Sequence, residues 1–134
     1  KRSVLTDANG IPISVVVDGA NVLDKRLAVR TLDGVVIRAS RGPWRPKNLC
    51  LDKGYDRGPL EGEIRRRRIK PHIRRIGEPP LIGKYEGKAR RWVVERTNSW
   101  HNNFRGIKTR WDRKGENYLA LCQLASALIV FDHT

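Results

Sequence analysis

The chain has 134 residues, a length that suits one domain with its own core, and it carries a net charge of +14. Of its 28 basic residues, 22 lie in residues 41–117, together with only nine of the 14 acids. This concentration of positive charge indicates a polyanionic partner such as nucleic acid. The alternative is a generally basic, solvated surface. No stretch approaches the roughly 20 apolar residues of a membrane span, and the N-terminus has no secretory pattern.

The N-terminal part of the sequence predicts a β-hairpin followed by a helix. Residues 2–6 and 11–18 read as two strands, and the pair Asn9-Gly10 between them favours a tight turn. Residues 22–37 have apolar positions at helical spacing, with Gly34 as a candidate end. The Gly- and Pro-rich segment that follows, 39–48, is predicted to be irregular and exposed.

The middle of the chain predicts short strands separated by a weak helix. Residues 48–52 form an apolar strand that ends in an acid, and a turn follows it. A weak helix is predicted over 59–68 and a short strand over 69–73. Residues 74–88 are rich in Gly and Pro and are predicted to form a loop.

Two helices are predicted in the C-terminal part, over 89–105 and 115–131. The first has a stripe at every fourth residue that we interpret as core, and the second has an apolar face that we expect to be buried. The stripe consists of Trp92, Arg96, Trp100 and Phe104, and the face of Tyr118, Leu121, Cys122, Ala125, Leu128 and Ile129. Strands with intervening helices indicate a mixed α/β layer structure.

The cysteines and histidines show no metal-ligand spacing. Cys50 and Cys122 both lie in apolar runs, so we interpret them as reduced core thiols rather than as a disulfide. His72, His101 and His133 are scattered along the sequence, and we expect surface or hydrogen-bonded histidines rather than a catalytic base.

Two acids stand out by context. Asp52 ends a short apolar strand, and Glu95 lies on the aromatic, basic helix. A carboxylate at a strand end and another on a helix packed across the sheet could share divalent metal ions, and paired metals suit phosphoryl transfer. The alternative is that Asp52 forms a turn and that Glu95 makes a surface ion pair.

Several basic and aromatic residues are candidates for DNA contact. The run Arg65, Arg66, Arg67 and Arg68 could bind phosphates or be a solvated helix end, and we favour phosphate contact. Trp44 lies in a basic segment and could stack on an unpaired base or fold back on the core. For Trp111, the sequence does not distinguish DNA contact from packing in the core.

Three motifs resemble one family of enzymes. CLDKGYD (50–56), ARRWVVERTNSW (89–100) and ENYLALCQLASALIVF (116–131) are similar, in order and spacing, to the C-terminal two-thirds of bacterial insertion-sequence DDE (Asp-Asp-Glu) transposases. The hairpin at 1–21 resembles their second and third strands. The resemblance implies an RNase H-like α/β fold, with a five-stranded mixed sheet flanked by helices, and three acids that bind two Mg²⁺ ions for DNA strand cleavage and transfer.

The resemblance assigns roles to particular residues. It implies that Asp52 is the second acid of the triad and Glu95 the third, both catalytic and metal-binding. Arg91 matches the family's Arg-x-x-x-Glu spacing, and with Lys53 and the run of four arginines at 65–68 it is expected to contact DNA. Where some relatives have a Lys seven residues after the Glu, this chain has Asn102.

The first acid of the triad is expected to lie outside this chain. In the family it lies on the strand before the hairpin, and this sequence begins at the hairpin with Lys1, which we treat as a cut. Asp7 and Asp18 are interpreted as structural. We therefore expect residues 1–134 to be a partial catalytic domain without its first strand and inactive alone, the alternative being a basic DNA-binding remnant without catalysis. A ribosomal-type basic protein would explain the charge but not the paired acids.

The resemblance also implies partners and location. Double-stranded DNA, as transposon ends and as target, is the expected partner, and no membrane is involved. A bacterial cytoplasmic, nucleoid-associated protein is expected, and the resemblance allows a homodimer of the full-length protein.

Overall fold

The computed structural model describes residues 1–40, 42–55, 58–75, 77–79 and 91–133. The chain divides into two compact units, the first made of Lys1–Val35 and Trp92–Thr134 and the second of Val36–Arg91. The strands are β1 (Arg2–Thr6), β2 (Pro12–Val17), β3 (Arg38–Ala39), β4 (Gly42–Pro43), β5 (Asn48–Leu51) and β6 (Lys70–Ile73). The helices are α1 (Asp24–Asp33), α2 (Leu60–Arg66), α3 (Arg91–Asn102), α4 (Arg105–Lys108) and α5 (Gly115–His133). The mixed α/β class is confirmed.

The first unit begins with the predicted hairpin. β1 and β2 pair antiparallel, and the register runs from Arg2 opposite Val17 to an irregularity after Leu5. The turn closes because Asp7 Oδ1 accepts hydrogen bonds of 2.8 Å from two backbone amides further along the turn. Gly10 has a φ of 86°, a conformation that glycine adopts without a steric cost.

Helix α1 packs on the hairpin through Leu27, Ala28 and Thr31, which are all buried. It is shorter than the predicted span of 22–37, because Gly34 ends it and its amide donates to the Arg30 carbonyl at 2.9 Å. The proposed end of the helix is therefore confirmed, while the turn after it was wrongly included.

Helix α5 covers the hairpin with one apolar stripe. Tyr118, Cys122 and Ala125 join Val15 and Ile107 in one core cluster. The predicted burial of Leu121 and Leu128 is wrong, since these side chains are 37% and 43% exposed. The reason is geometric: the hairpin covers a stripe only one side chain wide, and both leucines lie on the next stripe round the helix.

Helix α3 buries a different face from the one predicted. Its buried residues are Val93, Thr97 and His101, while Trp92 is 45% exposed. Trp100 and Phe104 are half-buried. The aromatic stripe is therefore not the core face. The turn of the hairpin reaches α3 at Thr97, and that contact sets which side of the helix faces inward.

The second unit is built on a parallel strand pair. β5 and β6 run parallel, with Asn48 opposite Lys70 and Leu51 opposite Ile73, and α2 forms the connection that parallel strands require. Leu49, Leu60 and Ile64 are buried between α2 and the strands. The predicted strands and weak helix are thus confirmed.

Two details of the second unit differ from expectation. Cys50 is exposed, not buried, because side chains alternate along a strand and Leu49 already faces α2. The segment predicted to be irregular, 39–48, overlaps a two-residue antiparallel pair, Arg38–Ala39 with Gly42–Pro43, and Trp44 next to it is half-buried. Most of the loop predicted at 74–88 lies outside the described residues.

The five-stranded sheet implied by the resemblance is not formed by the described residues. They form three separate two-stranded sheets, β1 with β2, β3 with β4 and β5 with β6. Among the described residues, the hairpin and β5 lie in different two-stranded sheets, and the single mixed sheet expected to contain both is not confirmed. Among the described helices, none is both long and apolar enough to cross a membrane.

Candidate active site

Asp52 follows β5 directly, as the sequence predicted. Its Oδ1 accepts a hydrogen bond of 2.7 Å from the Lys53 amide, and its backbone carbonyl accepts another of 3.0 Å from Tyr55 in the 3₁₀ turn behind it. The side chain is exposed and makes no ion pair with another described residue. A rigid, exposed carboxylate with an oxygen to spare fits the hard-oxygen coordination that Mg²⁺ prefers.

Glu95 lies in the first half of α3, with its side chain exposed. Hydrogen bonds made by residues that follow it in α3 hold this helix to the hairpin. The buried Thr97 hydroxyl donates to the Gly10 carbonyl, and Arg2 donates to Asn98 Oδ1 at 3.2 Å. The position of Glu95 is therefore set by the hairpin turn.

The two predicted acids belong to different compact units, Asp52 to Val36–Arg91 and Glu95 to the first unit. Their meeting at one metal site stays a prediction. Within the described part of the chain, no three His, Cys, Asp or Glu side chains lie close enough together to hold a metal ion. A complete three-acid site would need a further ligand.

The two acids interpreted as structural have structural partners. Asp7 closes the hairpin turn through its two backbone hydrogen bonds. Asp18 accepts a hydrogen bond of 2.7 Å from the Gly19 amide and forms an ion pair with Arg30. The Gly19 amide, followed by the Arg30 guanidinium, holds the pKa of Asp18 below its usual value.

The arginine run at 65–68 is partly paired within α2. Arg65 contacts Glu61 at 2.7 Å, while Arg66 and Arg67 contact Glu63 at 2.6 and 2.9 Å. Exposed ion pairs of this kind contribute about 0–1 kcal/mol, so a phosphate could replace them at low cost. The predicted DNA contacts of this run, and of Lys53, stay predictions.

Arg68 and Arg91 differ from the paired arginines. Arg68 has a φ of 59°, the left-handed conformation in which the chain leaves α2 for β6, and its side chain is exposed with no ion pair to another described residue. Arg91 is the first residue of α3, but its side chain lies outside what the structure describes.

The sequence matches the family model for the Transposase DDE domain over residues 1–130. The chain belongs to the DDE transposase family. It is also 36% identical over 137 residues to a Burkholderia cepacia protein provisionally named the transposase for insertion sequence element IS402. That alignment covers 98% of this chain and 63% of the relative, so the chain spans less than two thirds of the relative's length. No solved structure matches it.

An aromatic and cationic stack lies beside Glu95 in this transposase domain. The Arg96 guanidinium lies 4.4 Å from the centre of the Trp92 ring and 5.8 Å from that of Trp100. The ring centres of Trp100 and His133 in turn lie 4.1 Å apart. The spacing of aromatic residues at every fourth position predicted a core stripe, and this prediction is wrong. The arginine within the stripe was the sequence signal that this side of the helix faces water.

His101 is fully buried between α3 and α5 of the transposase domain. Its Nε2 lies 2.9 Å from Ser126 Oγ, and that hydroxyl donates to the Cys122 carbonyl at 2.8 Å, so Nε2 carries the proton. Nδ1 has no partner among the described residues. Burial, with the nearby charge of Arg2, lowers the pKa of His101 to about 4. His101 is thus a neutral structural residue, as expected.

This pKa makes stability depend on pH. The unfolded chain binds the proton with a pKa near 6.5 and the folded chain with one of about 4, so the stabilisation is present above pH 6.5 and falls as pH decreases. We expect a loss of about 2 kcal/mol in the free energy of unfolding between pH 7.5 and 5. Urea unfolding should show this loss in the wild type and after the exposed His72→Gln. If the free energy of unfolding of His101→Gln fell with decreasing pH as steeply as that of the wild type, the pH dependence would not come from His101.

Proposed function

We propose that this domain is part of an enzyme that cleaves and joins DNA strands during transposition, using two Mg²⁺ ions. The observation that carries the proposal is the family match over residues 1–130, which spans both candidate acids. Asp52 and Glu95 are the metal-binding acids in this proposal, and Arg91 steadies Glu95 or a phosphate. The local geometry supports the proposal, because each acid is exposed on an anchored element.

The reaction proceeds in two displacements at phosphorus. Water first attacks the scissile phosphate and forms a bond to phosphorus as the bond to the 3′ oxygen breaks, which leaves a free 3′ hydroxyl. That hydroxyl then attacks a phosphate of the target DNA, and the target's own 3′ oxygen leaves. Two Mg²⁺ ions, when bound, would stabilise the attacking and leaving oxygens. The carboxylates of Asp52 and Glu95 would hold the ions and thereby orient the phosphate.

The RNase H-like architecture belongs to this proposal. Such a sheet contains an antiparallel part and a parallel part, and the described residues form one of each, β1 with β2 and β5 with β6. The first strand and the first acid would come from the portion of the full-length protein outside residues 1–134. The relative is longer than this chain, which leaves room for such a strand.

DNA is the substrate in this proposal, as transposon ends and as target. Basic residues of the segment 41–117, which holds 22 of the 28, would neutralise phosphates, with Lys53 and Arg65 to Arg68 among them. In a bacterial cell, a protein with this charge would associate with the nucleoid. A homodimer of the full-length protein would place one active site at each transposon end.

The test compares residues 1–134 with the full-length protein in an oligonucleotide strand-transfer assay. We expect magnesium-dependent joining by the full-length protein and negligible joining by the 134-residue chain, because in-line displacement needs both metals placed together. Robust joining by the chain alone would contradict the proposed position of the first acid. If the full-length protein bound DNA without any cleavage, the alternative of a DNA-binding remnant would replace the enzyme.

A further inference from the structure

The segment between α4 and α5 exposes a tryptophan that no other role accounts for. Trp111 is 76% exposed in the short stretch that follows Thr109, the residue that closes α4. An exposed indole forgoes the stabilisation that burial of so large a side chain would give. In a chain with a net charge of +14, this suggests that a ligand covers the ring.

The segment is held in place by its own arginine. Arg110 Nε donates to the Asp112 carbonyl at 3.0 Å, and a second nitrogen lies 3.4 Å from the Arg113 carbonyl. The guanidinium lies 5.1 Å from the centre of the Tyr118 ring, and the Tyr118 hydroxyl donates to the Ile107 carbonyl at 3.1 Å. Arg110 is thereby committed to the fold, and Trp111 points outward from a braced loop.

Cations flank the exposed tryptophan in the sequence. Arg105, Lys108, Arg113 and Lys114 are all exposed, and none of them forms an ion pair within the described part of the chain. Asp112 is the single acid between residues 105 and 115. Such a group of unpaired cations attracts phosphates, and the release of counterions from a nucleic acid would stabilise the complex.

We propose that residues 105–114 bind unpaired DNA, with Trp111 stacked on a base and Lys108, Arg113 and Lys114 against the flanking phosphates. An aromatic side chain between cations is how proteins hold single strands, because every base offers a flat face for stacking. A protein that breaks and rejoins strands meets unpaired bases at the broken ends. The proposal rests on the proposed function only for the choice of DNA, since stacking and phosphate contact need no metal.

The experiment measures binding of the 134-residue chain to a fluorescent 20-nucleotide single strand, its duplex and an RNA of the same sequence, in EDTA. Stacking contributes roughly 1–3 kcal/mol per base, so Trp111→Ala should weaken single-strand binding by about 5- to 150-fold and change duplex binding little. Lys108→Gln with Lys114→Gln should lower the salt slope for the single strand by about 1.4.

Phe131→Ala is the matched control, because Phe131 is an exposed aromatic side chain, 81% exposed, on a helix that carries no Lys or Arg. It should bind the single strand like the wild type. The proposal is overturned if Trp111→Ala behaves like Phe131→Ala, if the chain binds only duplex, or if RNA binds more tightly than DNA. Loss of strand transfer by the full-length protein with Trp111-dependent binding intact would instead overturn the proposed function alone.

Discussion

Glu95→Gln in the full-length protein is expected to lower magnesium-dependent strand transfer by at least about a thousandfold. The amide keeps the size of the side chain but removes the charge that would hold a metal ion. Metal ions supply several kcal/mol of transition-state stabilisation, and about 4 kcal/mol corresponds to a thousandfold in rate. The rate constant of single-turnover joining, measured at saturating protein, isolates this loss from any change in DNA affinity.

The matched control is Glu116→Gln, which neutralises another exposed acid in the same compact unit, in the first turn of α5. It should retain near wild-type joining. Asp52→Asn should fail as Glu95→Gln does, because both carboxylates serve the same ions in this account. Retention of more than about a tenth of the wild-type rate by either variant would exceed what loss of a metal ligand permits and would remove that residue from the catalytic set.

Ile64→Ala is expected to lower the free energy of unfolding of the second unit by about 2–5 kcal/mol. Ile64 is fully buried on α2, against the strand pair that ends at Asp52. Removing its side chain leaves a cavity in a small core, where few neighbours can fill the space. Urea unfolding would measure the loss, and hydrogen exchange would assign it to residues of this unit.

Val36→Ala provides the control within the same unit, since Val36 is 86% exposed. It should change the free energy of unfolding by less than about 0.5 kcal/mol. Equal effects of the two substitutions would mean that α2 does not anchor the strand pair. If Ile64→Ala unfolded the hairpin at the same denaturant concentration as β5, the two units would share one cooperative transition.

Local patterns predicted much of the secondary structure. The turn at Asn9-Gly10, the helix end at Gly34 and the strand before Asp52 each depend on a few neighbouring residues. Turn geometry, helix termination and β-branched runs act over such short distances, so one sequence suffices to find them. The two strands and the helix of the second unit were found by the same reasoning, while their parallel pairing is seen in the structure.

Predictions of burial failed where they depended on distant contacts. The inward face of α3 is chosen by the turn at Gly10, which is 87 residues from Thr97 in sequence. Periodicity alone favoured the stripe of Trp92 and Trp100, because large aromatic residues are usually buried. The predicted burial of Cys50 failed for a related reason. Side chains alternate between the two faces of a strand, and an apolar run does not show which face the neighbouring helix covers.

The candidate acids were found by resemblance more than by pattern. A strand-end Asp and a helical Glu each have common structural roles, and their spacing of 43 positions, from Asp52 to Glu95, carries no geometric information. The exposed Trp111 illustrates the converse. The basic residues near it could be seen in the sequence. Only the contacts of Arg110 show that the loop is held in place with the Trp111 ring exposed, and not with the ring packed on the core.

We propose that Asp52 and Glu95 bind the same metal ion in the assembled active site. A crystal structure of the full-length protein with Mn²⁺ in place of Mg²⁺, phased to show the anomalous signal of the metal, tests it most directly. We expect a manganese peak within about 2.0–2.6 Å of a carboxylate oxygen from each residue. Carboxylates more than about 10 Å apart in a well-ordered structure would contradict it, because no single ion could bridge that distance.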